Sequence, residues 1–204
     1  MSTNNPILAT RTTTKLLDAL NDHGNEPVWA HIDGRYRSVI AGLARRLGLA
    51  DADADDVAQQ TLSEFVRCYR EGRYDRSKGR LSSWILGIAH HTTRRVLRNL
   101  DSRGERLATQ MDESLDEPRL RSIWTDERDR TILGRAMSML RDESELDDRT
   151  LLAFELSSLR GVPVGETASQ CGMTTDQVYV ARSRVTKRLR VLVEELTSAF
   201  EEDA

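Results

Sequence analysis

Three carboxylates crowd one short stretch, Asp53, Asp55 and Asp56, and two amides, Gln59 and Gln60, follow within a helical turn. Carboxylates in such a D-x-D-D spacing can gather a Mg²⁺ ion, or they can form a fixed acidic face that steers a basic protein surface. At a helix start they also favour the helix itself through its dipole. No Gly-rich phosphate loop and no second acidic motif accompany them, so the docking face is preferred over a small metal-dependent enzyme. His90 and His91 are adjacent. Neighbouring helical positions diverge by about 100°, so the pair is poorly placed to share one ion. Cys68 and Cys171 stand far apart in no CxxC pattern, which supports neither a disulfide scaffold nor a zinc site. No catalytic residue, metal or cofactor is assigned.

Two other groups of residues suit nucleic acid. Arg73, Tyr74, Arg76, Lys78 and Arg80, with Asp75 and Ser77 between them, fall in a stretch rich in turn formers, and Arg94, Arg95 and Arg98 follow. Aromatic and cationic groups together suit an unstacked single strand, whose bases stack on rings while its phosphates meet the charges. Further on, Cys171-Gly172-Met173 reads as a turn, and Thr174 with Gln177 makes a capping box. The helix so started carries Thr175, Asp176, Gln177, Tyr179 and Val180 near its beginning, where a recognition helix presents side chains to base edges. Gln pairs with adenine in two-pronged fashion and Thr meets the thymine methyl. Arg182, Ser183, Arg184, Lys187 and Arg188 lie further along and suit phosphates.

The elements that must position these groups all have helical spacing. Val28, Ile32, Tyr36, Val39, Ile40, Leu43 and Leu47 mark a first helix that stops near Gly48. A second, capped by Asp53, has the stripe Ala54, Val57, Ala58, Thr61, Leu62, Phe65, Val66 and Tyr69, with Asp55, Asp56, Gln59, Gln60, Ser63 and Glu64 opposite. Residues 71–79 read as a loop. The third helix buries Leu81, Trp84, Ile85, Ile88, Ala89, Thr92 and Val96, and shows His90, His91, Arg94, Arg95 and Arg98. After an acidic stretch with Pro118, helices return from Asp126: one marked by Ile132, Leu133, Ala136, Met137 and Leu140, one by Leu151, Leu152, Phe154, Leu156 and Leu159. A short helix over 163–170 follows, with Pro163 in its first position. The last helix buries Val178, Ala181, Val185, Leu189, Leu192 and Leu196.

The chain has 204 residues and a formal charge of −3, with 30 basic and 33 acidic residues in blocks. Residues 51–66 are purely acidic in their charges, 67–98 strongly basic, 101–148 acidic again, and 181–190 purely basic. Two basic blocks around an acidic one suggest two nucleic-acid contacts joined by a tether. With 5% aromatics and 38% apolar residues, two small helical bundles fit better than one aromatic-rich β-sandwich. The expected fold is all-α: a polar extension over 1–25, read as a tail; a domain over 26–99; a flexible acidic linker over 100–125; and a second domain over 126–204. No apolar run approaches the length of a membrane span and no signal peptide opens the chain. A soluble, intracellular protein is expected, without membrane insertion.

Taken together, these stretches resemble the extracytoplasmic-function (ECF) sigma factors of bacterial RNA polymerase. Residues 53–60 look like the family's acidic core-binding motif. Residues 80–91 look like the segment for promoter melting and −10 recognition, with Leu81 where Phe is frequent and His90-His91 where Arg-Asn is frequent. Residues 165–168, the turn, and 178–190 resemble the −35 helix-turn-helix, with Ala181 at a usually basic position. The resemblance implies a cytoplasmic transcription initiation factor with no chemistry of its own, whose partners are core RNA polymerase and promoter DNA. It implies that Asp53, Asp55, Asp56, Gln59, Gln60 and Ser63 dock on the polymerase. The 71–79 loop, with Arg80, His90, His91, Arg94, Arg95 and Arg98, then serves the −10 element, and the last helix the −35 duplex. The linker threads the polymerase cleft. Family members are restrained by an anti-sigma factor or by Ser/Thr phosphorylation, and Thr61 and Ser63 are the hydroxyls in the docking helix. The rival outside the family is a dimeric helix-turn-helix regulator that is no sigma subunit.

Overall fold

The computed structural model describes residues 19–21, 26–103, 116–142 and 146–200. Every regular element among them is helical, so the all-α expectation holds. The α-helices are α1 (Glu26–Arg46), α2 (Asp51–Arg70), α3 (Leu81–Arg103), α4 (Glu117–Asp142), α5 (Asp148–Phe154), α6 (Val164–Cys171) and α7 (Thr175–Phe200). The described residues divide into two compact units, one of those from Ala19 to Thr131 together with Ala199 and Phe200, the other Ile132–Ser198.

In the first unit α1, α2 and α3 pack on one another around Tyr36, Ile40, Leu43, Val57, Phe65, Leu81 and Ile85. Fully burying one such side chain contributes about 1.5–3 kcal/mol. Gly48 ends the first turnaround with φ +101°, a conformation that suits glycine. The α2 start differs from the sequence reading. Ala50 stands at the cap position without a side-chain cap, and Asp53 lies inside the first turn. The α3 stripe is also rotated: Leu86, Thr93 and Leu97 are buried, while Trp84, Ile88 and Val96 are only half-buried. Of the polar extension, Ala19–Asn21 form a 3₁₀ turn with Leu20 fully buried and its carbonyl oxygen 3.5 Å from Arg70 Nε. The rest of residues 1–25 lies outside the described residues.

The expected irregular linker over 100–125 is corrected at both ends. α3 runs on to Arg103, and residues 117–125 are helical, part of α4. Leu120, Ile123, Trp124 and Glu127 recur at the spacing of one helical face and are buried in the first unit. Trp124 stacks on Tyr36 at 6.4 Å between ring centroids. A Cβ at Gly42 would stand 2.2 Å from the Glu127 carboxylate, so glycine leaves the space that this side chain fills, and a larger residue would displace it. Pro118 sits in the first turn of α4, where proline is tolerated. Residues 104–115 lie outside the described residues.

The second unit buries Ala153, Leu156, Ala168, Cys171, Val178 and Ala181 together, edged by Val162, Val164 and Met173. Asp147 caps α5 by accepting from the Thr150 amide at 2.6 Å. After Phe154 the helix widens into a π turn, Glu155–Leu159. Leu133, Leu152 and Leu159, read as core from their spacing, are substantially exposed. Pro163 precedes α6 rather than opening it.

Candidate nucleic-acid interface

On α2 the apolar stripe faces inward, which turns Asp55, Asp56, Gln59, Gln60 and Ser63 outward to exposed positions, with Asp53 half-buried. The row is tied to both neighbouring helices. Arg45, in the last turn of α1, donates to Asp51 at 2.6 Å and to Asp55 at 3.3 Å. Arg37 donates to Gln59 at 2.7 Å while also chelating Asp33. That hydrogen bond to Asp33 holds the guanidinium more firmly protonated than usual. Arg95 of α3 donates to Gln60 at 3.2 Å, so a residue read as DNA-binding is joined to one read as polymerase-binding. Thr61 is fully buried on the inner face, which removes it as a modification site; Ser63 stays exposed. A cavity of about 390 Å³ between α1 and α2 is lined by Trp29, Ile32, Leu62 and Val66 with Gln59 and Ser63 at its polar edge.

The loop after α2 is shaped from within. Asp75 accepts from the Ser77 amide at 3.0 Å and its hydroxyl at 2.7 Å, and pairs with Lys78 at 3.4 Å. The Ser77 bonds hold the Asp75 carboxyl below the usual carboxylate range. Tyr74 is half-buried: its ring stacks on Trp84 at 5.2 Å and on Tyr69 at 6.0 Å, and its hydroxyl donates to the Gly79 carbonyl at 3.3 Å. The loop therefore presents an aromatic wall, not a lone ring. Arg73, Arg76, Lys78 and Arg80 are exposed around it, as are His91, Arg94, Arg95 and Arg98 along α3. Arg73 also pairs with Glu71 at 2.7 Å. His90 is half-buried. Burial first, then Arg94 and His91, push its imidazole below the ordinary histidine range, so it is neutral near pH 7. No group of three or more His, Cys, Asp or Glu among the described residues could hold a metal ion.

In the second unit the turn between α6 and α7 is closed by a dense set of bonds. Gly172 takes a left-handed conformation, φ +59°. The Met173 amide donates to Ala168 at 2.9 Å and the Gly172 amide to Ser169 at 3.4 Å, the Schellman pattern. The expected capping box is present: Thr174 N donates to Gln177 Oε1 at 2.8 Å and Gln177 N to Thr174 Oγ1 at 3.2 Å. This alters the reading of Gln177. Its amide oxygen is already engaged, so a two-pronged adenine contact would cost the cap. Thr175, Asp176, Tyr179 and Val180 are exposed at the head of α7, and Ser183, Arg184, Lys187 and Arg188 are exposed further along; Arg182 is half-buried. Ala181 faces the core, so a basic side chain there would be buried rather than set against phosphate. Sequence reasoning missed Arg149. On α5, it donates to the carbonyl oxygens of Cys171, at 3.1 Å, and Gly172.

Residues 33–103, from within α1 through α2 and the loop to the end of α3, match the sigma-70 region 2 family model. No curated protein matches the chain. The match supports a sigma-70 family member with a sigma-type role in promoter recognition. The family it describes consists of transcription initiation factors and not of enzymes, and it implies core RNA polymerase and promoter DNA as partners. No helix among the described residues is long and apolar enough to cross a membrane.

Proposed function

We propose that this chain is an ECF-type sigma factor: it binds core RNA polymerase through the outer face of α2, opens and reads the −10 element with the α2–α3 loop and α3, and reads the −35 duplex with the head of α7. The observation that carries this reading is the sigma-70 region 2 match over the elements that bear both the acidic row and the basic loop. The order of charges supports it. A row of exposed acids suits a basic protein surface, and the exposed cations of the loop and of α3 suit a strand held beside it. The short α6, three-residue turn and capped basic α7 support a helix-turn-helix for the −35 element. Asp176 accepts from cytosine N4, Tyr179 and Thr175 contact base edges, and Arg184, Lys187 and Arg188 meet phosphates. The chain works in the cytoplasm, where the polymerase is. An anti-sigma factor covering the α2 face, or a Ser/Thr kinase acting at Ser63, would restrain it.

The test is run-off transcription by core polymerase with and without the chain on a library of duplex promoters. Enrichment of templates sharing two elements at one fixed spacing supports the reading. A dimeric helix-turn-helix regulator would instead bind duplex alone as a dimer and leave initiation by the core unchanged.

A further inference from the structure

Arg149 does not belong to α6, the turn or α7, yet it donates to two successive carbonyls where α6 passes into the turn. α6 has only eight residues, too few to hold its own geometry in water. The Schellman bonds satisfy the carbonyls of Ala168 and Ser169. Cys171 and Gly172, the last residue of α6 and the left-handed residue after it, offer two successive carbonyls at the negative end of α6. Arg149 donates to the first from Nε, at 3.1 Å, and to the second from Nη2. A planar guanidinium offers parallel donors in a fixed fork, so two successive carbonyls fix its orientation, and it fixes theirs. Two residues beyond this fork the Thr174–Gln177 box starts α7. The α5 helix that carries Arg149 is itself pinned at that end by Asp147. A chain of bonds thus runs from the start of α5, through Arg149, to the peptide planes that aim the head of α7.

We infer that Arg149 is a positioning residue for −35 reading: it bridges the Cys171 and Gly172 carbonyls and so sets where Thr175, Asp176 and Tyr179 meet the base edges. The inference rests on the proposal that α7 reads duplex DNA. It separates Arg149 from the cations of α7, which act on phosphate directly. Loss of Arg149 should blur which base pairs are preferred, whereas loss of a phosphate contact weakens every duplex alike.

The experiment uses the full chain with core polymerase on a promoter library randomised at the −35 element, together with amide exchange of the free chain. Arg149→Ala should speed exchange of the Met173–Val178 amides about tenfold, the loss expected for a hydrogen bond to a charged group. It should flatten the −35 preference by a similar factor, with affinity for random duplex unchanged. Arg149→Lys should restore part of the preference, because an ammonium meets the carbonyls without the two-donor fork. If Arg149→Ala melts below the assay temperature, Arg149→Gln, with its shorter amide, carries the same comparison. Wild-type preference in whichever variant is folded would overturn the inference. Asp176→Ala and Tyr179→Ala locate the fault. If they shift the preference while the Arg149 variants do not, the clamp alone is wrong. If none of them shifts it, α7 does not read duplex and the clamp falls with that reading.

Discussion

The outer face of α2 and the head of α7 are both exposed, polar and set on well-packed helices, but they are held in opposite ways. On α2 the side chains themselves are tied: Asp51 and Asp55 to Arg45, Gln59 to Arg37, Gln60 to Arg95. At α7 the backbone is tied, by the Gly172 turn, the Arg149 fork and the capping box, while Thr175, Asp176 and Tyr179 project from it. Exposed ion pairs are worth at most about 1 kcal/mol and exchange readily for a partner's charges. Backbone hydrogen bonds at a turn fix direction. The first arrangement suits recognition by charge, where the partner brings its own cations. The second suits recognition by register, where a small error in aim selects the wrong base pair.

That contrast breaks most visibly if the acidic row is reversed in sign. Asp55→Lys with Asp56→Lys should lower the affinity for core polymerase by well over tenfold, since like charges facing each other cost several kcal/mol. Circular dichroism and melting should stay near wild type because both side chains are exposed. Unchanged pull-down of core enzyme would refute charge docking. Gln177→Ala should show the opposite balance. Losing a capping-box partner should cost about 1 kcal/mol of stability, read as a lower melting temperature. Because the Gln177 amide oxygen already serves the cap, its removal should weaken all −35 sequences together. A preference lost at one base pair only, with melting unchanged, would make Gln177 a reader instead.

Arg188→Ala should weaken all promoters evenly and reduce the slope of log affinity against log salt by about one, as expected for one phosphate contact. A slope left intact would place Arg188 off the DNA. The smallest effect belongs to pH. His90 titrates below the ordinary histidine range in the folded chain because burial and Arg94 disfavour its charge. The unfolded chain therefore binds the proton first. The contribution from His90 is fully present above the unfolded pKa and is lost as pH falls through the lower folded value. Thermal melts of His90→Gln should show a shallower loss of stability below about pH 6.5, where a free histidine titrates. An NMR titration that puts His90 at or above a free histidine would contradict this.

Much of this was legible in the chain because local rules agreed with the fold. Apolar spacing located the helices, and Thr174 with Gln177 located the start of α7 to the residue. What was not legible depended on partners distant in sequence. Residues 117–125 read as a tether because Pro118 and the acidic stretch before them outweighed a short stripe, Leu120, Ile123 and Trp124, whose meaning comes from Tyr36 and Gly42 on another helix. Amide exchange should show it: Leu120–Glu127 should be protected in the free chain, since Leu120, Ile123, Trp124 and Glu127 are buried on one face of this helix. Arg149 carries no signal in its own neighbourhood, because both carbonyls it serves lie more than twenty residues on. Asp53 misled as a cap because a helix start also tolerates acids one turn in, through the dipole alone. The sites on α2 and α7 were readable as sets of exposed residues. Their restraints were not, because an ion pair between helices leaves no period in the sequence.

The most direct test of the central claim is whether the purified chain binds core RNA polymerase and makes it initiate at defined promoters. Core polymerase and labelled chain are titrated at moderate salt, and the same mixtures are run on duplex templates. The account predicts saturable one-to-one binding, abolished by Asp55→Lys with Asp56→Lys, and run-off transcripts from promoters with paired −10 and −35 elements only when the wild-type chain is present. A chain that binds promoter duplex tightly by itself, without associating with core polymerase or changing what it transcribes, would contradict it.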